Sequence, residues 1–180
     1  QQPYALCVSH LYPYKNIPRM VRSFCQANKK LNDKYRLLIA GAFITKKYTR
    51  TIRKEIDNYN YSKYITLLGA VSKGSLKDLY RNTELLIFPS LCENFAYILV
   101  EAMSVGVPIV CSNSTAMPDT CKDAAIYFDP YNSDDMEKNF YNIMDDYEEK
   151  RRLKLKSLAR ASSLPSYKEV TNRTLNCIMK

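Results

Sequence analysis

The sequence predicts an α/β fold: one Rossmann-like domain with a parallel sheet of about six strands flanked by helices. Three observations predict it. Short apolar runs alternate with amphipathic helical periods along the whole chain. The runs are almost continuously apolar, as strands covered on both faces must be. A glycine or a polar loop closes most runs, where a crossover to the next parallel strand has to begin.

Residues 4–8 read as the first strand and 17–30 as the first helix. Residues 35–40 form a strand ended by Gly41, and 46–59 a basic helix. Residues 65–68 form a strand ended by Gly69; a helix follows over 73–81, capped by Ser72 or Ser75. Next come a strand from Leu85, a helix carrying Phe95 and a strand from Val107. Residues 116–121 suit a short helix and 124–128 a short strand. Asp129-Pro130 is a turn, and Ser133 opens one long helical region that Leu164-Pro165 ends. Ser166 then caps a last helix reaching Met179.

The 180 residues, 46% hydrophobic and 25% charged, suit one soluble domain with a real core. No apolar run approaches the roughly 20 residues that cross a bilayer. The chain begins QQPYALCV, without Met or a signal peptide, so a fragment of a longer cytoplasmic protein is expected. Six cysteines share no C-x-x-C spacing, which argues against zinc. Cys7 and Cys111 lie in strand patterns and read as buried thiols, consistent with a reducing compartment. Cys92 with the sole histidine, His10, as a nucleophile and base pair is a minor alternative.

The net charge of +9 suits an anionic ligand, an anionic membrane surface or nucleic acid. The fifteen tyrosines do not interleave with the basic residues, so nucleic acid is not expected as a partner. Four glycines form neither G-x-G-x-x-G nor a P-loop, which counts against an NAD enzyme or an ATPase.

The most informative stretch is residues 85–110, a strand, a polar loop, a helix and a strand carrying Glu93 and Glu101. Phe95, Ile98, Leu99, Ala102 and Met103 fall on one helical face. Eight helical residues span about 12 Å, the length of a diphosphate plus a ribose. The N–H groups of Asn94, Phe95, Ala96 and Tyr97 would be the open donors of the helix start, which attracts phosphate. A bland reading stands beside this one: an acid near a helix start is good dipole chemistry, and Glu101 fits a solvated position.

Several segments together resemble the C-terminal, donor-binding half of a GT-B glycosyltransferase of the large retaining class called family 4. They are VSHLYPYKNIPRMVRSF (8–24), LLIAGA (37–42), ITLLGAVSKGSLKDLYRNTELLIFPS (65–90), ENFAYILVEAMSVGVPIVCSN (93–113), AAIYFDPYN (124–132) and SYKEVTNRTL (166–175). The resemblance spans nearly the whole chain in order. It implies that Lys15 pairs with the donor diphosphate and that Glu93 lies by the transferred sugar. It places the Asn94, Phe95, Ala96 and Tyr97 amides on diphosphate and sugar, Glu101 on the ribose hydroxyls and Val71 near the base. His10 stands where arginine is common, Ser9 and Ala96 where glycine is common; the Ala96 methyl would narrow the sugar site. Asn94 also replaces a frequent glycine, and Asp119 a usual glutamate.

The implied reaction transfers a hexosyl group from a UDP- or GDP-sugar to a glycan or lipid-linked glycan, with retention. Lys15 and Glu93 are the expected catalytic residues; no metal or other cofactor is expected. The acceptor domain would precede this one, residues 166–180 would return toward it, and the 180 residues alone would bind donor with little transfer. The basic surface is compatible with a peripheral membrane contact on the cytoplasmic side. The competing class is a non-catalytic module that binds a sugar nucleotide or docks a partner; an epimerase of this architecture is weaker, because one histidine offers too little acid–base chemistry.

Overall fold

A computed structural model describes residues 2–165 and 167–178. The strands are β1 (Tyr4–Val8), β2 (Arg36–Ala40), β3 (Ile65–Gly69), β4 (Leu85–Phe88), β5 (Ile109–Ser112) and β6 (Ala125–Phe128). The helices are α1 (Ile17–Lys30), α2 (Lys46–Asn58), α3 (Lys73–Asn82), α4 (Tyr97–Ser104), α5 (Met117–Cys121), α6 (Ser133–Asp145), α7 (Tyr147–Ser163) and α8 (Tyr167–Ile178). Among the described residues the six strands form one sheet in the order β3-β2-β1-β4-β5-β6. All pairings are parallel. This is the doubly wound Rossmann-like order, and the winding reverses between β1 and β4.

The continuous apolar runs are explained by two cores. Ala5 and Cys7 of β1 pack with Leu37, Ile39, Phe24 and Phe140 on one face. Leu6 and Val8 pack with Leu86, Phe88, Leu99 and Met103 on the other. Successive side chains point to opposite faces, so a strand with two covered faces has no polar position to spare. The β1–β2 ladder runs the full strand, from Tyr4 against Arg36 to Val8 against Ala40. The β1–β4 ladder registers only Ala5 with Leu85 and Leu6 with Leu86. Past Leu6 the two strands have no ladder register.

The structure moves some boundaries of the sequence reading and settles one alternative. The long helical region after Ser133 is two helices, broken at Asp146, whose side chain accepts the Glu149 N–H at 2.8 Å. Asp146-Tyr147-Glu148-Glu149 carries the spacing of a capping box, a start signal inside an otherwise helical period. β5 begins at Ile109, because Val107 and Pro108 belong to the turn after Gly106, which has φ +74°. Ser72, and not Ser75, caps α3 by accepting the Ser75 N–H at 3.1 Å. The expected cap Ser166 lies outside the described residues.

Gly41 closes β2 at φ +149°, where an added Cβ would lie 1.8 Å from the Ser9 carbonyl oxygen. Its N–H donates to Gly69 O at 2.8 Å, so the loops after β1, β2 and β3 meet at this residue. Gly41→Ala should lower the free energy of unfolding by at least about 2 kcal/mol, measured by urea denaturation.

Burial pushes the Cys7 and Cys25 thiols up to about 12; the Lys15 charge partly offsets this for Cys7. Unfolded thiols titrate near about 8.5. Between these values the unfolded chain has lost protons that the folded chain keeps, so stability is full below the unfolded value and falls as pH rises. Urea midpoints should therefore decline from about pH 9 to 11, and Cys25→Ala should make the decline shallower.

Candidate functional site

The first loop of the site runs from β1 to α1. Leu11 is buried beneath it, and Leu11 N–H donates to Ala42 O at 3.0 Å. Pro13–Lys15 makes a single 3-10 turn, with Lys15 N–H donating to Tyr12 O at 3.0 Å. Proline presets φ at the start of this turn. Asn16 leaves it in the left-handed region at φ 55°, and its Nδ2 donates to Pro130 O at 2.9 Å. Lys15 is thus fixed at both ends by its own sequence, YPYKN. Its ammonium lies 5.0 Å from the Tyr14 ring centroid and 5.4 Å from that of Phe88.

The second loop leaves β4. Ser90 is buried, and its carbonyl accepts the Ser112 hydroxyl at 2.6 Å. Leu91 N–H donates to Tyr14 O at 2.8 Å, which joins the two loops across the switch point. Ser90 Oγ donates to Glu93 Oε1 at 2.7 Å, and Glu93 N–H donates to Thr115 Oγ1 at 2.9 Å. The Lys15 ammonium forms an ion pair with Glu93 Oε1, and the two side chains keep only 12% and 14% of their surface exposed. The structure therefore brings Lys15 and Glu93, 78 residues apart, into contact.

A cleft of about 330 Å³ opens beside this pair, lined by Ser9, His10, Lys15, Val71, Ile98 and Glu101 among others. Glu101 lines it directly; Glu93 does not, and meets it only through its ion pair with Lys15. Glu101 is exposed, and its Oε2 accepts the hydroxyl of buried Tyr80 at 3.1 Å. Burial, and then the Glu101 charge, pushes the Tyr80 phenol well above its ordinary range, so it stays protonated and donates. His10 Nδ1 accepts the Ala42 N–H at 3.2 Å, which leaves its other ring nitrogen to carry the proton in the neutral state. No hydrogen bond among the described residues links His10 to exposed Cys92.

The helix start differs from expectation. α4 begins at Tyr97, with Ala96 as its cap residue and no side chain capping it. Asn94, Phe95 and Ala96 are loop, so only part of the interval between Glu93 and Glu101 is helical. Tyr97 N–H donates to Phe95 O at 3.1 Å, so it is not an open donor. The Asn94, Phe95 and Ala96 N–H groups have no partner among the described residues. Phe95 does not join the buried face; it packs edge-on against Tyr97 at 4.7 Å, and both rings are exposed. Ala96 is 2% exposed and packs into the core under α4. None of these four residues lines the cleft.

Sequence reasoning did not single out Tyr80, Thr115 or Tyr14. Ser90 ends one of the segments that carry the family resemblance, but its bond to Glu93 was not visible there. A larger cleft of about 520 Å³ lies at the other end of β4 and β5, between Arg81, Pro108 and α7. Its walls come from the segments that precede β4 and β5 and from α7, and Tyr80, which bonds Glu101 of the smaller cleft, lines it too. Among the described residues no three histidine, cysteine, aspartate or glutamate side chains gather as a metal site. No helix there is long and apolar enough to cross a membrane.

A six-stranded doubly wound sheet with a charged crevice at its reversal defines an α/β domain of the class whose ligand sites lie, as a rule, at the switch point. Residues 1–160 match the model of the glycosyl transferases group 1, and the chain belongs to that family. It is 27% identical over 175 residues to an O-antigen chain mannosyltransferase B of Escherichia coli, covering 97% of this chain and 45% of that protein. It is 27% identical over 143 residues to the O-antigen chain mannosyltransferase RfbU of Salmonella typhimurium, covering 79% and 39%. Its fold superimposes on sucrose-phosphate synthase from Thermosynechococcus elongatus with a TM-score of 0.86 at 19% identity, over 99% of this chain and 45% of that one. The chain thus spans less than half the length of these proteins.

Exposure separates the thiols. Cys92 and Cys177 are exposed, whereas Cys7, Cys25, Cys111 and Cys121 are buried. A chromogenic disulfide reagent at pH 8 should label the two exposed thiols within minutes and the other four only after denaturation. Rapid labelling of a buried thiol would contradict the packing of β1, α1, β5 or α5.

Proposed function

We propose that this chain is the donor-binding, C-terminal half of a GT-B glycosyltransferase of the retaining family 4 type. It serves transfer of a mannosyl group from a nucleoside-diphosphate mannose, with guanine or uracil as base, to a glycan or lipid-linked glycan. The observation that carries this reading is the Lys15–Glu93 ion pair at the sheet's reversal, beside a cleft that Glu101 also lines. Mannose rests on the two relatives named as mannosyltransferases.

The chemistry follows from the charges. The bond between the sugar's anomeric carbon and a diphosphate oxygen breaks, and its electron pair leaves with the diphosphate. Preorganised positive charge at that oxygen lowers the barrier. Lys15 supplies such charge from the cleft wall, the open Asn94, Phe95 and Ala96 N–H groups of the loop before α4 add to it, and the reading requires no metal. Glu93, held by Ser90 and Thr115, fixes the sugar through its hydroxyls and faces the positive charge that develops on the ring. Glu101 takes the ribose hydroxyls; Val71, Ser9 and His10 form the cleft walls around base and diphosphate. An acceptor hydroxyl oxygen then bonds the anomeric carbon on the face the diphosphate left, and its proton passes to the departing diphosphate oxygen. We assign the acceptor site to a preceding domain and α8 to the return toward it. A cytoplasmic protein, peripheral at a membrane that carries a lipid-linked acceptor, fits the net charge of +9.

Calorimetric titration with UDP- and GDP-sugars tests the donor. GDP-mannose or UDP-mannose should bind, and Lys15→Met should weaken that binding roughly tenfold to a hundredfold. In the full-length protein Glu93→Gln should lower kcat on the order of a hundredfold while changing donor affinity far less. Unchanged turnover in that variant would favour a non-catalytic sugar-nucleotide module.

A further inference from the structure

We infer that Tyr80 is a positioning residue: its hydroxyl anchors one oxygen of Glu101 and presents the other to the cleft, where it reads a pair of ribose hydroxyls. The inference rests on the proposed donor site and names a residue through which that site discriminates.

Glu101 stands on the solvent side of α4, where a glutamate ordinarily samples many rotamers. Here Oε2 is tied at 3.1 Å to a phenol that is itself 5% exposed. Tyr80 comes from α3, the helix beside the cleft, and is packed in the core with Leu86, Leu99 and Met103. Leu76 of α3 and Ile98 of α4 line the cleft next to Glu101. The anchor is therefore rigid, and the carboxylate it holds is on the cleft wall. A tyrosine hydroxyl has one proton to donate, and it is spent on Oε2. Oε1 takes part in no hydrogen bond among the described residues and remains to accept from a ligand. A carboxylate accepts and does not donate, so the ligand must bring hydroxyl donors. A ribose 2′,3′-diol brings two.

A site that pairs with a substrate hydroxyl rejects the analogue lacking it, because its own polar group is left unpaired. Tyr80→Phe keeps the ring and removes only the anchor. The loosened carboxylate should then lose its preference for ribose while the diphosphate contacts persist.

The test is titration of the wild type, Tyr80→Phe and Glu101→Gln with GDP and UDP and with their 2′-deoxy and 3′-deoxy forms. Wild type should prefer the better-bound ribonucleotide over its deoxy forms by roughly tenfold or more. Tyr80→Phe should reduce that ratio to near unity with little change in affinity for the deoxy forms. A general loosening of the fold would weaken all forms together and leave the ratio standing, so the ratio separates positioning from packing. Should Tyr80→Phe fail to fold, Tyr80→Met fills the core without a hydroxyl and should reduce the same ratio. If the ratio survives in Tyr80→Phe but is lost in Glu101→Gln, the positioning role is wrong and the donor site stands. If Glu101→Gln also preserves it, or the wild type shows no preference or binds neither nucleotide, the reading of Glu101 as the ribose ligand fails, and this inference with it.

Discussion

The ion pair between Lys15 and Glu93 is the interaction on which the rest of the site depends. It closes the switch point of the sheet with two charges from different halves of the winding, one after β1 and one after β4. Both side chains are largely shielded from water, so neither is easily left alone. Removing one partner of a buried pair leaves an uncompensated charge, which costs about 3–5 kcal/mol in fully buried cases and less at a half-open cleft. The protein also holds each charge by other means. Glu93 accepts from Ser90, and Lys15 rests over Tyr14 and Phe88. The lysine ammonium has three protons to donate, so an anionic ligand at the cleft would compete with Glu93 for it. Glu93, still held by Ser90, would then accept from hydroxyl donors. A diphosphate joined to a sugar carries both.

The surroundings of the pair show how ordinary folding rules build it. Gly41 lets the loops after β1 and β2 touch, because any side chain there would strike Ser9. Leu91 N–H bonds Tyr14 O, so the lysine loop and the glutamate loop are one assembly. Thr115, with φ 47°, reaches back from the loop after β5 to hold the Glu93 backbone. A left-handed conformation is uncommon for a β-branched residue. It occurs here at a residue that bonds the Glu93 backbone.

Much of the fold was legible from local pattern. β1 and α1 run over the residues that the apolar runs and periods indicate, and β2 lacks only Tyr35, which the turn from α1 claims through Asn28. Errors fell where a local signal was overruled or overlooked. Asp146 breaks a region whose periodicity continues on both sides, and only its side-chain cap reveals the break. Phe95 fits the helical period but is loop, because the chain is still descending from Glu93, which Thr115 restrains. In the site, the spacing of Glu93 and Glu101 was visible and the family pattern singled out Lys15, but their supports were not. Ser90 to Glu93 is a local bond that needs a side-chain rotamer to be seen. Tyr80 to Glu101 and Thr115 to Glu93 cross between elements about twenty residues apart, and no periodicity encodes such contacts.

The most direct measurement is a crystal structure of the chain with bound GDP or UDP. The account predicts a diphosphate oxygen within hydrogen-bond distance of Lys15 Nζ, the Lys15–Glu93 pair broken, and the nucleotide lying along the cleft with its ribose at Glu101. A structure in which nucleotide is bound while Lys15 remains paired with Glu93 and touches no phosphate would contradict it.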